Sequence, residues 1–291
     1  MVGADRVTLP HEPGVDAIRL SPASFDRLAQ LITDELGIKM SGTKLTMVQG
    51  RLLHRVRELQ LPSIERYAEY LLASPFGEER EHFINAITTN KTDFFREAQH
   101  FTFLQTVALP AFSQTRGNRV RFQAWSAGCS SGEEPYTLAM ILAEYASRVP
   151  GFDFAILATD VSTKVLEQAR AGMYPGSLIA PIPPEYQAKY LLRSRRPGAN
   201  LCRVSSYLRK RVSFHHLNFM DDSYPIKDEF AVILFRNVMI YFDRATQETV
   251  INKMVRHLAP GGYLLAGHSE SLAGLNVPLQ PVKAAIYRKV A

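Results

Sequence analysis

The stretch Gly128-Cys-Ser-Ser-Gly-Glu-Glu-Pro-Tyr-Thr137 carries the residue types of a ligand-binding turn. Two glycines permit a tight reversal and a close backbone approach, a proline is pre-set for a first helical turn, and the amides of that turn start without partners. The stretch has neither the GxxxxGK[ST] nor the GxGxxG spacing of phosphate and dinucleotide loops, and it places Glu133 and Glu134 where a phosphate would sit. Carboxylates there repel an anion and suit a cation. The next apolar run ends in Asp160, about 30 residues beyond the first glycine, where a doubly wound fold puts the carboxylate that takes ribose hydroxyls. A nucleoside bearing a positive group meets all three conditions, and S-adenosylmethionine is one. A purely structural reading also stands: Glu133 and Glu134 favour a helix N-terminus, and Asp160 caps the following helix.

Such a turn needs a strand before it and a helix after it, and the pattern supplies both. Residues 120–126 read as a strand, 133–149 as a helix, 154–159 as a strand and 163–171 as a helix. Strand-like runs at 212–217, 230–235, 263–266 and 285–288 follow, with a helix at 245–258 between the second and third of them. Alternation of this kind implies a mostly parallel sheet covered on both faces. Before Gly117-Asn118 the spacing is helical instead. Ser24 can cap a helix over 25–36 that stops at Gly37, Leu45, Val48, Leu52, Val56 and Leu59 form one stripe, and Ser63 opens a helix over 64–72. A proline-rich excursion interrupts the strand–helix alternation between 171 and 212 and has the character of a hairpin.

Composition sets the frame. The 291 residues, 46% of them apolar, suffice for a full core and two domains. The first 20 residues lack an apolar h-region and no run approaches 18 apolar residues, so the expectation is a cytoplasmic protein that is neither exported nor inserted in a membrane. Two cysteines, Cys129 and Cys202, make neither a disulfide framework nor a zinc site, and no metal is expected. The net charge of +6 matters only where it is concentrated.

Several motifs, in order, resemble one family. They are Thr88-Thr-Asn-Lys-Thr-Asp-Phe-Phe-Arg-Glu97 with His100-Phe101, Trp125 through Tyr136, Ala158-Thr-Asp160, Phe235-Arg-Asn-Val-Met-Ile-Tyr-Phe242, Leu258-Ala-Pro-Gly-Gly262 and Gly267-His-Ser-Glu-Ser271. Together they resemble the CheR chemotaxis receptor methyltransferases over most of the chain. Ser131 stands where the family often has Thr, and both are hydroxyl donors.

The resemblance implies an α/β, Rossmann-like S-adenosylmethionine-dependent methyltransferase domain at 118–291, a small helical N-terminal domain at 1–95, a linker at 96–117 and an inserted β-subdomain at 186–205. It implies a protein-glutamate O-methyltransferase that releases S-adenosylhomocysteine. By the same resemblance Asn90, Thr92 and Arg96 close over the methionine part, and Ala127, Gly128 and Glu133 line the glycine turn, with the choice between Glu133 and Glu134 open. Asp160 takes the ribose, Asn218 and Phe219 flank the adenine, and Asn237 and Val238 lie beside the sulfonium. Arg96, Arg193 and Tyr241 are the catalytic candidates. A glutamate is already ionised at neutral pH, so the reaction asks for positioning and not for a base. A donor there should orient the acceptor without clamping it, because its charge is neutralised in the transition state.

Positive charge gathers in 39–60, where Lys39, Lys44, Arg51, Arg55 and Arg57 face only Glu58. Lys44, Arg51 and Arg55 are expected on one exposed helix face that meets the acidic methylation helices of a receptor. Without interleaved aromatics, nucleic acid is not expected. The sequence leaves open a receptor C-terminal tether on the excursion and a regulatory adaptor, and it demands nothing beyond a monomer. Two alternatives are a methyltransferase of the same fold acting on another substrate and a non-catalytic module that senses the cofactor.

Overall fold

A computed structural model describes residues 19–73, 77–116, 121–196 and 198–290. The Gly117-Asn118 division, the strand start at Val120 and most of the N-terminal segment lie outside the described residues. The chain forms two compact units. One runs to Asp34 and resumes over Lys39–Ile87; the other comprises Glu35–Ile38 and Thr88–Ala291.

The first unit is helical: α1 (Pro22–Leu36, whose last two residues belong to the second unit), α2 (Leu45–Glu58), α3 (Ile64–Ala73) and α4 (Glu78–Ile87). Helix α1 starts earlier than Ser24 because Pro22 suits a first turn and the Ser21 hydroxyl accepts the Ser24 N–H at 3.1 Å. The Ser24 hydroxyl donates to Glu65 on α3 instead. The stripe on α2 is buried at Val48, Leu52 and Val56, with Ile64, Tyr67, Leu71 and Phe83 completing the core.

Lys44, Arg51 and Arg55 do not share an exposed face. Lys44 is exposed in a 3-10 turn before α2, and half-buried Arg51 donates to the Ile87 carbonyl. The Arg55 side chain, 14% exposed, pairs with Glu79 of α4 and with Glu58. Glu79 also accepts the Tyr67 hydroxyl at 2.8 Å. A buried carboxylate on α4 needs a cation, and the arginine one turn beyond Arg51 supplies it.

The second unit holds a seven-stranded sheet in the order β6-β2-β1-β7-β8-β10-β9. Strands β1 (Phe122–Ala127), β2 (Phe154–Asp160), β6 (Val212–His216), β7 (Phe230–Phe235) and β8 (Leu258–Ala266) are parallel. The antiparallel hairpin of β9 (Leu279–Lys283) and β10 (Ile286–Lys289) closes one edge. Strand β9 escapes the sequence pattern because it contains Pro281, which an outermost strand tolerates. Helices α7 (Glu133–Ala146), α8 (Thr163–Ala171) and α11 (Arg244–Val255) form the crossovers, with Asp243 capping α11 through the Thr246 N–H at 2.8 Å.

The expected linker 96–117 is helical from Ala98 to Arg116. Helix α5 (Ala98–Phe103), a π-turn (Leu104–Ala108) and α6 (Leu109–Arg116) contribute Phe101, Phe103, Leu104 and Leu109 to the core beside the sheet. Burial of those side chains makes the segment part of this unit, and the boundary between units falls at Ile87, not 95. The excursion is a three-stranded antiparallel sheet, β3-β5-β4, of β3 (Met173–Pro175), β4 (Leu191–Arg193) and β5 (Leu201–Val204), with α9 (Pro184–Tyr190) and α10 (Ser206–Arg209) beside it. It therefore begins at Met173 and not at 186, because β3 pairs with β5 across the whole insertion.

Candidate active site

A cleft of about 910 Å³, part of it open to solvent, lies at the carboxyl ends of β1, β2 and β7. The position is where parallel α/β sheets bind ligands. Its walls come from the second unit, from 36–38, the Thr88–Glu97 segment and the strand-end loops.

The glycine turn forms one wall. Gly128 has φ +79°, and a Cβ there would meet Val238 Cγ2 at 2.6 Å, so the bare backbone faces the cleft against the β7 loop. Gly132 has φ +100° and leads into α7. Between them the Ser130 N–H donates to Asp160 at 2.8 Å, and its hydroxyl donates to the Asn90 carbonyl at 2.8 Å. The turn thus holds both the Asp160 carboxylate and the Thr88–Glu97 segment.

Asp160 ends β2 and is 7% exposed. Burial pushes its pKa up; bonds from the Ser162, Ser130 and Val161 N–H groups pull it back in part. It does not cap α8, because Ser162 does so, accepting the Val165 N–H. One Asp160 oxygen accepts the Ser130 N–H at 2.8 Å and the other the Ser162 N–H at 3.0 Å, and a carboxylate oxygen can accept more than one hydrogen bond.

Of the two adjacent glutamates, Glu134 lines the cleft and Glu133 does not. Glu133 is buried, accepts the Ser131 hydroxyl at 2.7 Å, and has its pKa raised by burial. Glu134 accepts the Ser126 hydroxyl at 2.7 Å and an Arg236 N–H at 2.9 Å. The first glutamate serves the helix start and the second serves the cleft.

Arg236, at the end of β7, has a side chain only 2% exposed. It donates to Glu134, to Glu97 at 3.0 Å and to the Arg96 carbonyl, and its guanidinium lies over the Phe101 ring. One cation therefore ties the Thr88–Glu97 segment to the α7 start and the β7 end. Burial works against the Glu97 charge, but Arg236, the His268 N–H and Asn237 outweigh it and hold that carboxyl below its ordinary pKa. Glu97, His100 and His268 bring ligand atoms within 4.8 Å of one another, yet the guanidinium already on Glu97 makes the trio a poor cation site. His100 is buried, and burial first, then Arg236, lowers its pKa to about 4.

Among the expected residues, Asn90, Thr92, Arg96, Gly128, Asp160, Asn218, Phe219, Asn237, Val238 and Tyr241 all line the cleft. Ala127 is buried at the end of β1 and does not line it. Arg193 does not line it either: it is exposed on β4, in the separate three-stranded sheet, and lines another groove with Gln187 and Asn200. Asn218 uses its side chain on the chain itself, donating to the Glu35 carbonyl at 2.7 Å and accepting the Met220 N–H at 3.0 Å. Lys253 of α11 fixes the same loop, donating to the Phe219 and Asp221 carbonyls at 2.7 Å.

This geometry fits a cationic nucleoside: a bare glycine turn, a buried carboxylate at a strand end, an apolar flank at Phe219 and acidic groups at Asp93 and Glu134. Two family models match the chain, the CheR methyltransferase all-alpha domain over residues 23–88 and the CheR methyltransferase SAM binding domain over residues 90–288. The chain belongs to the CheR methyltransferase family. It is an α/β, S-adenosylmethionine-dependent methyltransferase. Among its relatives, the chemotaxis protein methyltransferase of Salmonella typhimurium is 40% identical over 258 residues, covering 89% of this chain and 87% of that protein. The Escherichia coli protein of the same name is 38% identical over 260 residues, with 89% and 88% covered, and that of Borreliella burgdorferi 37% over 276, with 94% and 96% covered.

Arg236, Glu97 and Glu270 lie within the motifs of the CheR resemblance, which implies no role for them. A charged residue placed directly after the apolar run Phe230–Phe235 is the signal for Arg236. Leu36 and Ile38, which also line the cleft, carry no such signal.

Proposed function

We propose that the cleft is where a glutamate side chain of a methyl-accepting chemotaxis receptor receives a methyl group from S-adenosylmethionine, and that the enzyme works as a cytoplasmic monomer. The observation that carries this reading is the Gly128 turn and the Asp160 carboxylate held together by Ser130 at the strand ends. No helix among the described residues is long and apolar enough to cross a membrane, which agrees with a partner reached from solution.

Asp160 takes the ribose hydroxyls, Phe219 flanks the adenine, and Asn90, Thr92 and Arg96 hold the methionine part. Asp93 on the cleft wall supplies negative charge that suits a sulfonium, while Glu134 is held by Arg236. The bound cofactor supplies an electrophilic methyl group, which an ionised glutamate oxygen accepts without a base. The chain's own task is to orient that oxygen and exclude water, and Tyr241 at the cleft wall is the donor that does so. A hydroxyl suits the task better than a buried cation, since it holds the carboxylate without over-stabilising its charge.

Receptor recognition starts from exposed Lys44 and Arg57, since Arg55 is committed to Glu79. A receptor C-terminal tether would find an open strand edge at β4, which pairs within its sheet with β5 alone. The test is a receptor fragment methylated by this enzyme with its acceptor glutamates intact or replaced by glutamine. Methylation should follow the glutamates. Equal labelling of the two fragments would refute the assignment of the acceptor.

A further inference from the structure

The loop that carries Asn237, Val238 and Tyr241 is neither strand nor regular α-helix. Asn237 has φ +59°, and Met239–Tyr241 form a 3-10 turn, so the amides that leave β7 lose their ladder partners in a partly buried loop. The Glu270 carboxylate meets them. It is 6% exposed, and one of its oxygens accepts the N–H of Asn237 at 2.9 Å and that of Gly267, while the other accepts the Ile240 N–H at 3.3 Å. Gly267 brings the two loops together: a Cβ there would lie 2.5 Å from Asn237 Nδ2 and 2.8 Å from the Glu270 carboxylate. From the other side Glu97 accepts the Asn237 side-chain amide at 3.3 Å and the His268 N–H at 3.2 Å.

We propose that Glu270 is a positioning residue for methyl transfer, its carboxylate fixing the turn that delivers Tyr241 to the cleft. The proposal rests on the reading of Tyr241 as the group that orients the acceptor. A carboxylate suits the place because both of its oxygens accept. A glutamine offers one acceptor oxygen and one NH2 group. With its oxygen kept on Asn237 and Gly267, its NH2 group faces the Ile240 N–H, donor against donor, one residue from Tyr241. Glu270→Gln therefore disturbs Tyr241 more than the residues nearer the cofactor.

The experiment is a double-mutant cycle on the full chain, with receptor methylation and S-adenosylhomocysteine calorimetry as readouts. Glu270→Gln should lower kcat roughly tenfold and leave product affinity within about threefold. In the Tyr241→Phe background the same substitution should cost less than about twofold further. If the full loss recurs in that background, or if Glu270→Gln lowers melting temperature while kcat stays at the wild-type value, the positioning role is wrong. If Tyr241→Phe alone turns over at the wild-type rate, the reading of Tyr241 fails first, and the cycle shows that separately. Should the amide variant not fold, Glu270→Asp, which keeps two acceptor oxygens on a shorter stem, enters the same cycle, with the same outcomes supporting or overturning the role.

Discussion

Arg55 and Arg236 solve the same electrostatic problem in two different units. Each is largely withdrawn from water, each bridges two carboxylates, and each joins segments that are far apart in sequence. Arg55 ties α2 to α4 in a helical unit, and one of its partners, Glu58, is 46% exposed. Arg236 has partners that are 14% and 12% exposed, and every segment it ties carries a wall of the cleft. The difference teaches that a buried ion pair is not itself a mark of a site. Its meaning comes from what it holds, and of the two pairs the one at the carboxyl ends of parallel strands holds cleft-lining residues.

The largest effect should come from Arg236→Met. Removing the cation leaves Glu97 and Glu134 buried without compensation, a change that typically costs about 3–5 kcal/mol. Methylation should fall by more than about a hundredfold, and thermal unfolding should shift down with it. Full activity in a folded Arg236→Met protein would break the contrast with Arg55.

Asp160→Ala comes next. Losing a charged acceptor of two hydroxyls should weaken S-adenosylhomocysteine binding by about 1.5–3 kcal/mol, measured by calorimetry. The pH dependence has a definite sign. Burial raises the Asp160 pKa, so the wild-type affinity should begin to fall on acidification above the ordinary aspartate value of about 3.9, and an Asp160→Asn protein should lack that limb.

Arg55→Met sharpens the comparison from the other side. It should lower the stability of the helical unit by about 1.5–3 kcal/mol, since Glu79 loses its charged donor, while S-adenosylhomocysteine affinity stays as it was. A loss of cofactor affinity would mean that the two arginines are not separable in function. Tyr241→Phe should have the smallest effect, roughly tenfold in kcat or about 1.4 kcal/mol, with product affinity within about threefold.

Much of this was legible in the sequence where local chemistry and global fold agree. The turn from Gly128 to Pro135 was, because glycine at positive φ and an acidic first turn are local demands. The core stripe of α2 was as well, since its spacing reports burial directly. Arg55 was misplaced for the opposite reason. Its spacing from Arg51 says which way it points on the helix, but not that Glu79, 24 residues on, arrives opposite it. Segment 98–116 looked like a linker because its burial depends on a sheet that forms later in the chain. The choice between Glu133 and Glu134 needed Arg236, 102 residues away from the second of them. Residues that answer to distant partners are the ones a linear pattern does not place.

The most direct test is label transfer. The enzyme is incubated with methyl-tritiated S-adenosylmethionine and chemoreceptor, the receptor is isolated, and base is added. The expected result is volatile tritiated methanol released from glutamyl methyl esters, with the signal reduced in Asp160→Ala at low cofactor concentration and restored as the cofactor is raised. Label that resists alkali, or receptor that takes up none while the folded enzyme binds S-adenosylhomocysteine, would contradict methyl transfer to receptor glutamates in this cleft.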